Sequence, residues 1–291
     1  MSGTSAIRTP TGRRWPPPEA TAAPAARESA ESRLRVSPGA SGPQGTRVSM
    51  RLGPWLAGPG GEPTVGALGV LADDAIGLEI YGRRPPNTHA VTAELSVDVV
   101  AQPPWAAPGL VADARLHGRD ATGGVAGCEI RDGAGRLVAL ATGRFRWVEI
   151  PPPVTARGSA PPPARLAPGA HHSLLDALGL AGVGPTRHGE LGRLVLPGGS
   201  VFGGLADTVH GGVLLCLSDL VTDALAEPGR PERTTGIRVH YLRPAELSQA
   251  TTATALTVHR GRSAVLYRVT TAGPSDRPCT IATVTRERAA H

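Results

Sequence analysis

The 291-residue chain contains no lysine, and all 30 of its basic residues are arginine. Alongside abundant alanine, glycine and proline, that absence points to a GC-rich coding sequence more than to a function. Cysteine is scarce: Cys128, Cys216 and Cys279 are odd in number and form no C-x-x-C. A disulfide framework is therefore not indicated, and buried free thiols in a reducing compartment are expected. No run of 18 apolar residues is present and the N-terminus lacks a hydrophobic signal core, so the reading is a soluble, cytoplasmic protein with no membrane partner. Aromatics make up only 3% while Gly 38 and Pro 29 are high, which predicts that part of the chain does not pack. The formal charge of +6 is concentrated early: seven arginines and three glutamates precede or include Arg47. The remainder is nearly balanced, which excludes a basic nucleic-acid face.

Taken in order, residues 1–46 are rich in Pro, Ala, Ser, Gly and Arg without apolar periodicity and read as a disordered tail. A first domain is expected over 47–150. It has a strand at 47–52, a helix over 64–77 that is apolar on nearly every side, and alternating strands at 91–100, 110–117, 124–131 and 137–148. Asp132-Gly133 marks a hairpin turn. Residues 151–170 hold seven prolines and read as a stiff linker. A second domain, 171–288, repeats the pattern with a strand at 189–196, a helix at 210–227 and strands at 235–242, 250–259, 263–271 and 279–286. A helix followed by an antiparallel meander is an α+β layer.

The repeat can be measured. Leu71-Ala72-Asp73 answers Leu217-Ser218-Asp219, Thr92–Val100 answers Thr234–Leu242, and Leu116–Arg119 answers Val258–Arg262, at offsets of 146, 142 and about 143 residues. Near-constant offsets argue for a duplicated domain.

The stretch with the most chemistry is 203–219. There a polar turn ending His210-Gly211-Gly212 runs into an apolar helix carrying Asp219. The first N–H groups of a helix have no intrahelical partner and can face a developing oxyanion with the helix dipole behind them. Two glycines let a substrate approach. The glycine-rich 197–204 segment is not a phosphate loop, since no G-K-[ST] follows it. His171-His172 has no partner at metal-ligand spacing, so no metal is expected.

His210-Gly211-Gly212, then Asp219, then Val239–Ala245, then His259-Arg260-Gly261-Arg262, in this order and over residues 185–286, resembles the hotdog-fold acyl-CoA thioesterases of the phenylacetate-pathway (PaaI) type. The resemblance implies two tandem hotdog domains, each an antiparallel sheet around a central helix, forming an intramolecular pseudo-dimer with further homo-oligomerisation possible. It implies hydrolysis of an acyl-CoA thioester, with coenzyme A entering only as part of the substrate and no other cofactor. Carried onto this chain, the His210 turn would face Asp73 from the first half, while Asp219 would face Thr64-Val65-Gly66. The Gly211 N–H would polarise the carbonyl and Asp73 would serve as general base or nucleophile. Thr92 or Thr234 would position water, and Arg119, Arg260, Gly261 and Arg262 would meet the coenzyme A phosphates.

Where these enzymes usually carry an asparagine, six positions before the histidine, this chain has Gly204. That departure, together with the absence of a His-Gly pair in the first half, keeps a non-catalytic acyl-CoA-binding protein as the main rival reading. An acyl-CoA hydratase or dehydratase ranks below it, because Asp207 stands only three residues before His210. The plainer readings make His210 a turn-stabilising residue, Asp73 and Asp219 hydrogen-bonded core carboxylates, Asp74 and Asp223 solvated or helix-edge groups, and the arginines strand-end charges.

Overall fold

Residues 29–46, placed by composition in an unpacked tail, carry three buried apolar side chains, Ala30, Leu34 and Val36, that dock the segment against the rest of the chain. In the computed structural model, which describes residues 29–149, 171–199, 202–203 and 207–288, this segment forms a single helical turn α1 (Ala30–Arg33) and strand β1 (Val36–Gly42). Ser29 caps α1 by accepting from the Ser32 N–H at 3.2 Å. The tail reading is thereby corrected for 29–46: three anchors spaced among Ser, Gly and Pro suffice once a sheet edge is there to receive them. The rest of the tail, and the 151–170 linker, lie outside the described residues.

The first half continues with β2 (Gly45–Arg51), a tight 3-10 turn at Val65–Ala67, α2 (Leu68–Tyr81), β3 (Thr88–Val99), β4 (Gly109–Arg119), β5 (Gly123–Arg131) and β6 (Leu137–Glu149). The second half has α3 (Leu174–Ala177), β7 (Thr186–His188), β8 (Leu191–Leu196), α4 (Gly211–Leu220) running into a 3-10 turn at Val221–Leu225, then β9 (Glu232–Tyr241), β10 (Thr251–Arg260), β11 (Ala264–Ala272) and β12 (Pro278–Arg288). Every strand joins one antiparallel sheet in the order β1-β2-β4-β5-β6-β3-β9-β12-β11-β10-β8-β7. Counted inward from either edge, the order is the same once β7–β12 are matched to β1–β6. The halves meet where β3 pairs with β9, Leu95 opposite Val239 and Val97 opposite Ile237.

Period-2 patterning sets the layers. Along β6, Ala139, Ala141, Gly143 and Phe145 are buried while Leu140, Thr142, Arg144 and Arg146 face outward. The inner face wraps α2 and α4, which explains why neither helix has a polar stripe: α2 buries ten of its residues and α4 nine. The two helices cross at their N-terminal halves with almost no separation. A Cβ placed on Gly212 would lie 2.5 Å from the Val70 Cα and 2.6 Å from the Gly69 carbonyl oxygen. Because those obstacles are backbone, Gly212→Ala has to push the helices apart, and urea unfolding should show a loss of at least about 1–3 kcal/mol.

Candidate active site

At that crossing each helix aspartate reaches the N-terminal turn of the other helix. Asp73, on α2, accepts from the Gly212 N–H at 2.9 Å through Oδ2 and from the Thr92 hydroxyl at 2.9 Å through Oδ1. Asp219, on α4, accepts from the Gly66 N–H at 2.9 Å and the Thr64 hydroxyl at 2.6 Å through Oδ2, and from the Thr234 hydroxyl at 2.6 Å through Oδ1. Thr92 and Thr234 come from β3 and β9, the two central strands, and Thr64 from the turn before α2. Two sites are thus built alike: a carboxylate, a hydroxyl from the next strand and an N–H from the partner helix.

They differ in what surrounds the carboxylate. His210 N-caps α4, with Nδ1 3.1 Å from the Gly212 nitrogen and 3.4 Å from Asp73 Oδ2. Thr64 stands in the corresponding place in the other site. Gly211 is pressed against Asp73 and Thr92: a Cβ there would lie 2.7 Å from Asp73 Oδ2 and 3.4 Å from Thr92 Oγ1. Its counterpart Val65 is buried and carries a side chain where the first site has none. The Gly212 N–H, not that of Gly211, meets the Asp73 carboxylate. Among the described residues the Gly211 N–H has no acceptor, while the Gly211 carbonyl accepts from the Tyr241 hydroxyl at 2.8 Å. Burial pushes the Tyr241 hydroxyl, already a weak acid, further up, aided by the Asp73 charge, so it stays a donor.

In the second site the carboxylate is neutralised from behind. Arg286, on β12, approaches Asp219 Oδ1 at 3.3 Å and Asp223 Oδ1 at 2.6 Å. In register, Arg286 lies beside Thr234 as Phe145 lies beside Thr92. Asp219 is 1% exposed and Asp73 7%. Asp223, read as a solvated or helix-edge group, has a side chain 28% exposed in the turn after α4 and is held by Arg286: burial raises its carboxyl, and the Arg286 charge pulls the other way.

Asp74, likewise read as solvated, has a side chain only 16% exposed and sits 3.0 Å from His210 Nε2. Burial pushes its carboxyl up to about 6 against the pull of that bond. For His210 burial opposes the charge, but the bond to Asp74 and the carboxylates of Asp73, Asp74 and Glu31 outweigh it, and the imidazole is pushed up to about 9. A His value raised above 6.5 contributes stability that is fully present below about pH 6.5 and is lost as pH rises through about 9. Unfolding free energy measured between pH 6.5 and 10 should fall by on the order of 2–3 kcal/mol in wild type, and His210→Gln should flatten that part of the curve.

Glu31, Asp74 and His210 bring ligand-type atoms within 4.8 Å of one another. The closest pair, His210 Nε2 and Asp74 Oδ1, stands at hydrogen-bond distance.

The arginines expected at the phosphates are placed differently from one another. Arg260 donates to Glu232 at 2.7 Å, to the Leu225 carbonyl at 2.8 Å and to the Tyr267 hydroxyl at 3.1 Å, so its fork is already filled. That corrects Arg260 as a phosphate contact. Gly261 closes the β10–β11 turn through its N–H to the Ala264 carbonyl, and Arg262 is exposed. Arg119 is exposed at the end of β4, donates to the Arg83 carbonyl, and lies in a row with Gly124, Phe145 and Thr92. A cleft of about 440 Å³ lined by Glu79, Arg83 and Arg115 opens at the far end of α2, away from Asp73. Gly204 lies outside the described residues; Asp207 is exposed, with φ 52.

No family model and no curated protein sequence matches the chain. Solved structures do. A tesB protein from Mycobacterium avium subsp. paratuberculosis aligns with TM-score 0.59 at 10% identity, over 90% of this chain and 98% of that one. The acyl-CoA thioesterase II TesB2 of Mycobacterium marinum aligns with TM-score 0.54 at 10% identity, over 90% and 97%. A conserved protein of unknown function with a hot dog fold from Alicyclobacillus acidocaldarius aligns with TM-score 0.53 at 14% identity, over 90% and 98%. The fold is the hotdog fold. In this hotdog protein the aspartates sit on the two enclosed helices, and no helix among the described residues is long and apolar enough to cross a membrane.

Proposed function

We propose that the chain is a fused hotdog pseudo-dimer that hydrolyses an acyl-CoA-type thioester at a single site, the one built on Asp73. The observation that carries this reading is the pairing of a carboxylate fixed by Thr92 and the Gly212 N–H with a second N–H, at Gly211, that has no acceptor among the described residues, beside a position with no side chain. A general base and an oxyanion donor would thereby stand side by side where a thioester carbonyl binds. The matched strand order and matched aspartates of the two halves support the fusion, and the His210-Gly211-Gly212 motif supports the PaaI-type resemblance.

Water attacks the carbonyl carbon while Asp73 takes its proton, and the oxygen, now negative, is held at the Gly211 N–H. When the C–S bond breaks, the proton on Asp73 passes to the departing thiolate. Thr92 orients the carboxylate and keeps one oxygen toward the water. No electrons are transferred, so the reaction calls for no redox cofactor, and the reading includes no metal. Arg119, with Arg83 and Arg115 lining the neighbouring cleft, offers the basic surface for the phosphates of the carrier. Asp219 is assigned a structural role, because Arg286 holds its charge.

The test is steady-state release of free thiol from short, long and aryl acyl-CoAs. Turnover with any of them supports the reading; saturable binding of the esters with no thiol released would instead make the chain an acyl-CoA-binding protein.

A further inference from the structure

We propose that Asp74 is a positioning residue of this site, holding the His210 imidazole as a cation through its Nε2–H while the Nδ1 edge of the same ring faces Asp73 and Gly212. The inference rests on the hydrolytic reading above for its catalytic meaning, but its geometry stands without it. His210 Nε2 is 3.0 Å from Asp74 Oδ1 and 3.9 Å from Glu31 Oε1, while Nδ1 is 3.4 Å from Asp73 Oδ2. An ionised carboxylate only accepts, so Asp74 excludes the tautomer with a bare Nε2. The charge of the ring is then decided at Nδ1, the nitrogen beside the base. Without a proton there, Nδ1 accepts from the Gly212 N–H as a cap; with one, it points a second donor at Asp73.

The charged and titratable groups facing the ring come from three elements: Asp73 and Asp74 from α2, Glu31 from α1, and Tyr241 from β9 through the Gly211 carbonyl. Arg33 of α1 turns its guanidinium to the Ala177 carbonyl and over Phe202. Three carboxylates around one imidazole outweigh its burial, consistent with a value near 9. A cation fixed at the start of α4 adds to the field of the helix N-terminus, where the thioester oxygen would become negative.

The experiment is a side-chain NMR titration of the nine histidines in the intact protein without substrate, with His210 assigned by loss of its signal in His210→Gln. In wild type His210 should titrate near 9, and Asp74→Asn should lower its midpoint by a unit or more, a tenfold or greater loss of proton affinity. Asp74→Glu, which keeps the acceptor, should restore most of it, and Glu31→Gln should move it less. A wild-type midpoint at or below 6.5 overturns the proposal even if no variant folds, as does an unchanged midpoint in a folded Asp74→Asn. Where thiol release is measurable, the alkaline limb of kcat should shift down with the ring in Asp74→Asn. Because the titration is read without substrate, failure of the hydrolytic reading and failure of this one are separate results.

Discussion

Asp73→Asn should lower thiol release from an acyl-CoA by about 10²–10⁴-fold, the usual worth of a positioned general base, while leaving the unfolding midpoint close to wild type. The second half of that expectation follows from shape. In the wild-type site Asp73 uses one oxygen for the Gly212 N–H and the other for the Thr92 hydroxyl. An asparagine can keep both contacts: its carbonyl oxygen accepts from Gly212 and its NH₂ donates to the hydroxyl, which turns to accept. What the amide cannot do is take a proton from water. A fall in kcat with little change in KM would mark the loss as one felt in the transition state. If Asp73→Asn turned over as fast as wild type, the base would have to be elsewhere and the reading of this site would be abandoned. A substitution that instead unfolded the protein would point to the plainer role, a core carboxylate satisfied by its neighbours.

Much of this arrangement could be seen in the sequence, for definite reasons. Helix α2 was visible because a segment apolar on every side has to be enclosed, and the strands because alternation such as that around Ala139, Ala141 and Phe145 has one structural meaning. The resemblance, carried onto the two halves, implies Asp73 opposite the His210 turn, and the structure places them together. What stayed hidden depends on partners distant in the chain. Asp74 looks like a solvated neighbour of Asp73 until Glu31 and His210, 43 residues before it and 136 after, close over it. Arg260 looks like a phosphate ligand until Glu232 and Tyr267 take its fork. Segment 29–46 looks like tail because its three anchors are too sparse to raise a periodic signal. One further signal was available: at the positions where the halves diverge, Gly77 and Phe145 in the first become Asp223 and Arg286 in the second. An apolar pair replaced by an oppositely charged pair is the mark of a contact.

That replacement makes Asp219→Ala the sharper test of which site works. Arg286 is almost fully buried, and its guanidinium is divided between Asp219 and Asp223, with a further bond to the Asp219 carbonyl at 3.1 Å. Stripping one carboxylate from a buried ion pair leaves a charge without compensation, which usually costs about 3–5 kcal/mol. Because Asp223 keeps its own contact at 2.6 Å, the low end, about 3 kcal/mol, is expected for Asp219→Ala in urea unfolding. Arg286→Met alone should also destabilise, since it leaves Asp219 and Asp223 facing each other. The double variant Asp219→Ala with Arg286→Met should recover part of the loss, because the first half shows that the same position accepts an apolar side chain, Phe145, packed against Gly77. A coupling of 1 kcal/mol or more between the two substitutions would identify the pair as structural. At a temperature where Asp219→Ala is still folded, thiol release per folded molecule should remain within a few fold of wild type. The opposite pattern, full stability with turnover abolished, would move the active carboxylate to α4 and make Thr64 and the Gly66 N–H, rather than His210 and Gly211, the groups that face the thioester.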